Sequence, residues 1–146
     1  MKLTLETQVE QDYLTVKDGF QEELFKKLSP PFPPVKLLRF DGSKKGDVVS
    51  LELNFIFFKQ KWTSDITEDF TDDKEFYFID QGSQLPFFLK KWTHKHRVIS
   101  TDKGSLIRDE IDFEGPNGLL TILLYPALWA QFLYRKPIYR RFFKKA

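Results

Sequence analysis

The chain has 146 residues, no cysteine, one methionine, and 24 aromatic residues made up of 16 Phe, 5 Tyr and 3 Trp. That length suits one domain spanning 1–146 with a real core, and the missing cysteines exclude disulfides, thiolate chemistry, zinc ribbons and iron–sulfur clusters. At 30% charged residues it is no polytopic membrane protein, and its aromatic content is too high for a disordered chain.

The net charge is only +2, but it is unevenly spread. Residues 1–114 carry an acidic excess, whereas 115–146 contain six basic residues and no acid. All six lie near the C-terminus: Arg135, Lys136, Arg140, Arg141, Lys144 and Lys145. So small an excess argues against a nucleic-acid partner. It fits either a solvated helix face or contact with an anionic membrane surface. The start of the chain meets Glu6 before any apolar run forms, so no export signal is expected and the location is read as cytoplasmic.

Taken in order, Lys2–Glu10 alternates as a half-buried strand. Asp12 caps a short helix from Tyr13 to Gly19, and a second helix follows over Phe20–Leu28. Pro30-Pro31-Phe32-Pro33-Pro34 forbids helix and reads as a stiff passage back into strand, with partner recognition by a Pro-rich run as the other option. From Val35 onward the pattern is strand after strand: 35–40, 47–58, 61–70, 75–79, 88–99 and 105–113. Residues 118–144 form one long helix, too short in apolar length at 119–134 to cross a bilayer and therefore expected to be buried. Pro126 predicts a kink near Tyr125. Strands gathered together with helices at the ends make an α+β protein.

The chemistry-bearing residues sit in the last hairpin. Over 88–99, Lys91, Thr93, Lys95 and Arg97 take one face, which sends Trp92, His94, His96 and Val98 inward. Over 105–113, Asp109 falls between the inward Ile107 and Ile111, within about a residue of His96 across the turn; Glu68 is a further candidate. Two imidazoles beside a buried carboxylate can be a structural network, a polar anchor for a ligand, or a general acid–base pair. They can also start a metal site, although no third His or Cys is present. No nucleophile elbow, phosphate-cradling loop or dinucleotide fingerprint occurs.

Pro86-Phe87, Trp92-x-His94-x-His96, Asp109, Gly115-x-x-Gly118 and Phe132-x-Tyr134-Arg135, in that order, resemble a bacterial branch of the SRPBCC superfamily. These are START-like, helix-grip proteins related to polyketide cyclase/dehydrase groups. The resemblance implies a seven-stranded curved antiparallel sheet around the long C-terminal helix, with two short helices between strands one and two. It also implies a cavity for an apolar molecule of lipid, sterol, polyketide or aromatic type. Phe55, Phe57, Trp62, Phe76, Phe78, Trp92, Ile111, Trp129, Phe132 and Leu133 are the expected wall, and His94, His96 and Asp109 the polar contacts. A binding protein is favoured. The alternatives are a cyclase or dehydratase using His94 or His96 with Asp109, and a membrane or partner module acting through the basic helix. No metal and no cofactor are expected. Glu114-Gly115 departs from the branch's pattern at the corner before the last helix.

Overall fold

A computed structural model describes residues 1–146. The elements are β1 (Lys2–Val9), α1 (Tyr13–Gly19), α2 (Glu22–Lys27), β2 (Val35–Phe40), β3 (Val48–Asn54), β4 (Lys59–Thr71), β5 (Glu75–Gln84), β6 (Lys91–Thr101), β7 (Gly104–Glu114) and α3 (Gly118–Phe142). All seven strands form one antiparallel sheet in the order β1-β7-β6-β5-β4-β3-β2. A meander from β2 to β7 is therefore completed by β1, which pairs Lys2 with Asp112 and Val9 with Ser105.

Local chemistry explains the ends of the elements. The Asp12 carboxylate accepts from Thr15 N at 3.2 Å to start α1. Asn117 does the same for α3, accepting from Leu120 N at 2.9 Å. At the Glu114-Gly115 corner, Gly115 N donates to Thr121 Oγ1 at 2.9 Å, and a Cβ on Gly115 would stand 3.0 Å from Thr121 N. A side chain there would push the helix off the strand. Gly104, in the β6–β7 turn, has φ of +133°, and a Cβ on it would lie 2.4 Å from the Val9 carbonyl oxygen. Gly104→Ala is therefore expected to lower stability by about 2 kcal/mol, measured by urea unfolding. A midpoint equal to the parent protein's would show that the turn relaxes freely.

Two expectations change. The strand expected over 47–58 ends at Asn54, and Ile56 adopts a φ of 76°, so the alternation that put Phe57 beside Phe55 does not persist. Phe57 is 93% exposed instead. The long helix is not buried all round. α3 runs unbroken through Pro126 and Pro137, burying Thr121, Leu128, Phe132, Ile138 and Tyr139 against the sheet. Leu119, Ile122, Leu123, Trp129 and Leu133 on its other sides are exposed. One sheet can cover only one side of a helix, and no second layer covers the rest. No helix is long and apolar enough to cross a membrane.

The core divides into two clusters. Phe20, Phe76, Phe78, Val98, Ile107, Tyr139 and Phe143 are among the residues that join α1, α2 and the end of α3 to the sheet. Trp92, Ile111, Phe113, Leu128 and Phe132 anchor the other half of α3. Between sheet, α2 and α3 a space is left open.

Candidate functional site: a polar quartet on the wall of an apolar cavity

That space has a volume of about 690 Å³ and is lined mainly by apolar side chains. Leu24, Leu28 and the Pro30–Pro33 run close one side, Phe55, Trp62, Phe78 and Trp92 come from the strands and the loop after β3, and Leu128 and Phe132 come from α3. Three polar side chains gather on the strand wall: Asp80, His94 and His96.

The register of three central strands makes this group. In β6, His94 stands opposite Asp80 of β5 and Ile111 of β7, while His96 stands opposite Phe78 and Asp109. The rings lean so that each bonds diagonally. His94 Nε2 lies 2.8 Å from Asp109 Oδ1, and His96 Nε2 lies 2.5 Å from Asp80 Oδ2. A carboxylate only accepts, so in both pairs the imidazole N–H is the donor. Asp80 also accepts from the Trp92 indole at 3.0 Å. The two imidazole centroids are 3.5 Å apart, and His96 stacks on Phe78 at 4.2 Å.

Burial sets the electrostatics. It drives the His96 pKa down from 6.5 to about 4, helped by the adjacent His94 ring and only partly opposed by Asp80 and Asp109. Burial alone would raise the Asp80 carboxyl, but the hydrogen bond and charge of His96, the charge of His94 and the Trp92 indole hold it below the usual range. Asp109 follows the same logic: burial works against the carboxylate, and the His94 hydrogen bond more than offsets it. Near neutrality the group thus contains two carboxylates and a neutral His96. The free His96 Nδ1 has no partner, and neither does the buried Tyr139 hydroxyl. Burial, with the Asp109 charge behind it, pushes the Tyr139 phenol up. Arg135 lies over the Phe132 ring at 4.3 Å and is the cation at the cavity edge.

Of the expected wall, Phe55, Trp62, Phe78, Trp92, His94, His96 and Phe132 line the cavity. Asp109 sits behind His94, 3% exposed, and supports it rather than facing the open space. Phe76 and Ile111 are packed into the two core clusters. Phe57, Trp129 and Leu133 are on the outer surface. Glu68 is elsewhere: a register shift between Ile66 and Glu68 resets the alternation of β4, and Glu68 accepts from the exposed Tyr77 hydroxyl. Asp80 was not among the expected residues. Its signal was the alternation Phe76, Phe78, Asp80, hidden by ending that strand at Ile79 when it continues to Gln84.

Asp80, His94 and His96 also place one ligand atom each within 4.8 Å of one another, a two-histidine, one-carboxylate set of the sort that holds divalent transition ions. Here the Asp80 oxygen and the His96 nitrogen of that set are joined in a hydrogen bond.

A single sheet gripping one long helix, with a cavity between them, is a helix-grip fold. Solved structures share it over nearly the whole chain. The di-domain ARO/CYC StfQ of the steffimycin biosynthetic pathway matches with a TM-score of 0.67 at 11% identity, over 97% of this chain and 50% of that one. Major latex-like protein 151 of Panax ginseng matches at 0.61 and 17% identity, over 95% and 97%. A Thalictrum norcoclaurine synthase mutant in complex with a transition-state analogue matches at 0.61 and 12%, over 95% and 93%. At these identities the likeness is one of fold. No family model matches the sequence. Serpin A11 of Rattus norvegicus is 31% identical over 85 residues, which is 58% of this chain. The match spans only 20% of that curated relative's length.

Proposed function

We propose that this chain binds and carries an apolar small molecule of lipid, sterol, polyketide or aromatic type between the sheet and α3. The observation that carries this reading is the cavity itself. About 690 Å³ of space walled by Phe, Trp, Leu and Pro, with a few convergent polar groups on one side, has the size and composition of a small-molecule site. His94, His96 and Asp80 would orient a ligand hydroxyl or carbonyl, and Arg135 a more polar end at the rim. The fold neighbours named as the ARO/CYC StfQ and a norcoclaurine synthase accord with a ligand of ring-bearing type.

Native mass spectrometry of freshly purified protein is expected to show a discrete small-molecule adduct. Ala127→Trp puts an indole into the cavity from α3 and is expected to remove that adduct while the protein stays folded. An adduct retained unchanged in the variant, or bare protein throughout, overturns the reading. Cyclase or dehydratase chemistry is the second reading, favoured by two histidine–carboxylate pairs on the cavity side of the sheet. His96→Asn separates the two, since a carrier keeps its ligand and a catalyst loses turnover.

A further inference from the structure

The antiparallel topology collects one set of loops at one end of the sheet. The Pro-rich passage into β2, the β3–β4 loop, the β5–β6 loop and the corner leading into α3 all lie there, because β2, β4 and β6 start where β3, β5 and β7 finish. This end is also the apolar end of the surface. Ile56, Phe57 and Phe58 are 75%, 93% and 44% exposed at the β3–β4 tip, and Phe87 is 66% exposed at the β5–β6 tip. The tips touch: Phe58 and Phe87 rings are 5.8 Å apart, and Phe55 and Phe88 just beneath them are also 5.8 Å apart. The first turns of α3 add Leu119, Ile122 and Leu123, each more than half exposed.

The β3–β4 tip is built to project. Ile56, a β-branched residue, is held at a φ of 76°, with its N–H bonded to the Asn54 side chain at 2.9 Å and Phe55 N bonded to Phe58 O at 2.9 Å. A β-branched residue in the left-handed region is strained, and such strain persists where the surroundings enforce it. Its effect is to turn Phe57 fully into solvent.

Charge identifies what the tips meet. Each aromatic tip is followed directly by lysines, Lys59 and Lys61 after the first and Lys90 and Lys91 after the second, with no acid in 54–61 or 85–91. Glu52, Glu114 and Asp112 on the adjoining strands pair with Lys59, Lys90 and Lys91 at 3.7, 3.9 and 3.0 Å, so four lysines and the N-terminal ammonium stand against three carboxylates and leave a positive excess beside the tips. Residues 115–134, including the first four turns of α3, carry no charge at all. Projecting aromatic and aliphatic side chains backed by lysines match the interface of an anionic bilayer, where rings sit among headgroups and ammonium groups meet phosphates. A second copy of the chain on a twofold axis would set these lysines against one another.

We propose that this end of the molecule docks on an anionic lipid surface, inserting the Ile56–Phe58 and Phe87 tips. Phe32, Phe55 and Phe88 at the same end also line the cavity, so docking places the cavity's own rim on the membrane. That last step rests on the cavity being a ligand site; the docking does not. The last basic residues of the chain are elsewhere: Lys145 N bonds Glu10 at the opposite end, and Arg140 and Arg141 stand about 30 Å along the helix from Leu119.

Flotation with vesicles of phosphatidylcholine plus phosphatidylglycerol, and of phosphatidylcholine alone, tests this without any ligand. The protein is expected to float with the anionic vesicles, less so at high salt. Phe57→Asp combined with Phe87→Asp should weaken binding at least tenfold, and both sites are exposed enough to leave folding unharmed. Arg140→Glu with Arg141→Glu should leave flotation unchanged. Protein that stays unbound, a Phe57/Phe87 variant that floats equally, or loss only in the Arg140/Arg141 variant overturns the proposal. So does a dimer in sedimentation that the Phe57/Phe87 variant dissolves, which would make the face a contact between copies. Ligand retention in the mass spectrum is read separately, so either idea can fail alone.

Discussion

Asp109→Ala is expected to lower the unfolding free energy by about 3 kcal/mol, a large share of a small protein's stability. The carboxylate is 3% exposed and accepts the His94 N–H at 2.8 Å. Its lowered pKa means that the fold favours the charged form despite its burial, because His94 and its neighbours hold it there. Alanine removes the acceptor and leaves a buried imidazole donor with nothing to bond. It also frees the His94 ring, which packs edge-on against Phe132 of α3 at 5.1 Å. Asp109→Asn keeps an acceptor oxygen at the same place and is expected to cost less than half as much. Urea midpoints with an unchanged slope are the measurement. A loss below about 1 kcal/mol for alanine would mean that His94 finds another partner and that the quartet is not a connected unit.

Stability is expected to fall by about 3 kcal/mol as pH drops from 6.5 to 4, because the folded protein refuses a proton that the unfolded chain accepts. His96 titrates near 6.5 when unfolded and at about 4 when folded. Above 6.5 the ring is neutral in both states and costs nothing. Between 6.5 and 4 the unfolded state binds more protons, so stability rises with pH across that window and is lost on descending through it. Asp80 and Asp109 act lower down. Their pKa values are depressed in the fold, so their contribution is full above the unfolded carboxylate value and disappears as pH falls below it. Chemical denaturation in small pH steps should therefore show decline through two ranges. His96→Asn should flatten the upper one and reduce the lower one by the part that Asp80 owes to His96, leaving the part carried by Asp109 and His94. A flat profile between 6.5 and 4 in the parent protein would show that burial does not depress this histidine.

The fold was legible where alternation was clean. Lys2–Val9, with its strict in-and-out pattern, and Trp92, His94, His96 and Val98 on one side of β6 follow from period two alone. The His–Asp association was legible too, because the short turn at Thr101–Gly104 fixes the register that sets His96 opposite Asp109. What alternation cannot reveal is which of two neighbours a long side chain chooses. His94, not His96, bonds Asp109, and His96 turns to a strand on the other side. Asp80 was missed because Gly82 and Gln84 look like a break, although β5 continues through them beside β4.

The cavity wall was less legible for a related reason. Assigning a ring to the inner face of a sheet does not say whether it packs solidly or borders space. Phe76 and Phe78 share a face, yet Phe76 is enclosed by the first core cluster while Phe78 meets the opening. On α3, a helix apolar on every side offers no period from which to choose the gripped face. Trp129 and Leu133 were therefore as eligible as Leu128 and Phe132, and packing against the sheet decided between them.

The position of β1 has a consequence for how the chain assembles. Strands β2 to β7 each lie beside their neighbour in sequence, so that meander forms from short-range closures. β1 instead waits for β7, pairing Leu3 with Ile111 across more than a hundred intervening residues, and α3 then packs against both. Joining such distant segments requires the costliest loop closure in the molecule, and topologies of this kind fold slowly. The first strand of the sheet in sequence is thus among the last to find its partner. Until it does, the β7 edge stays open, and the cavity has a sheet on one side without the helix that closes it.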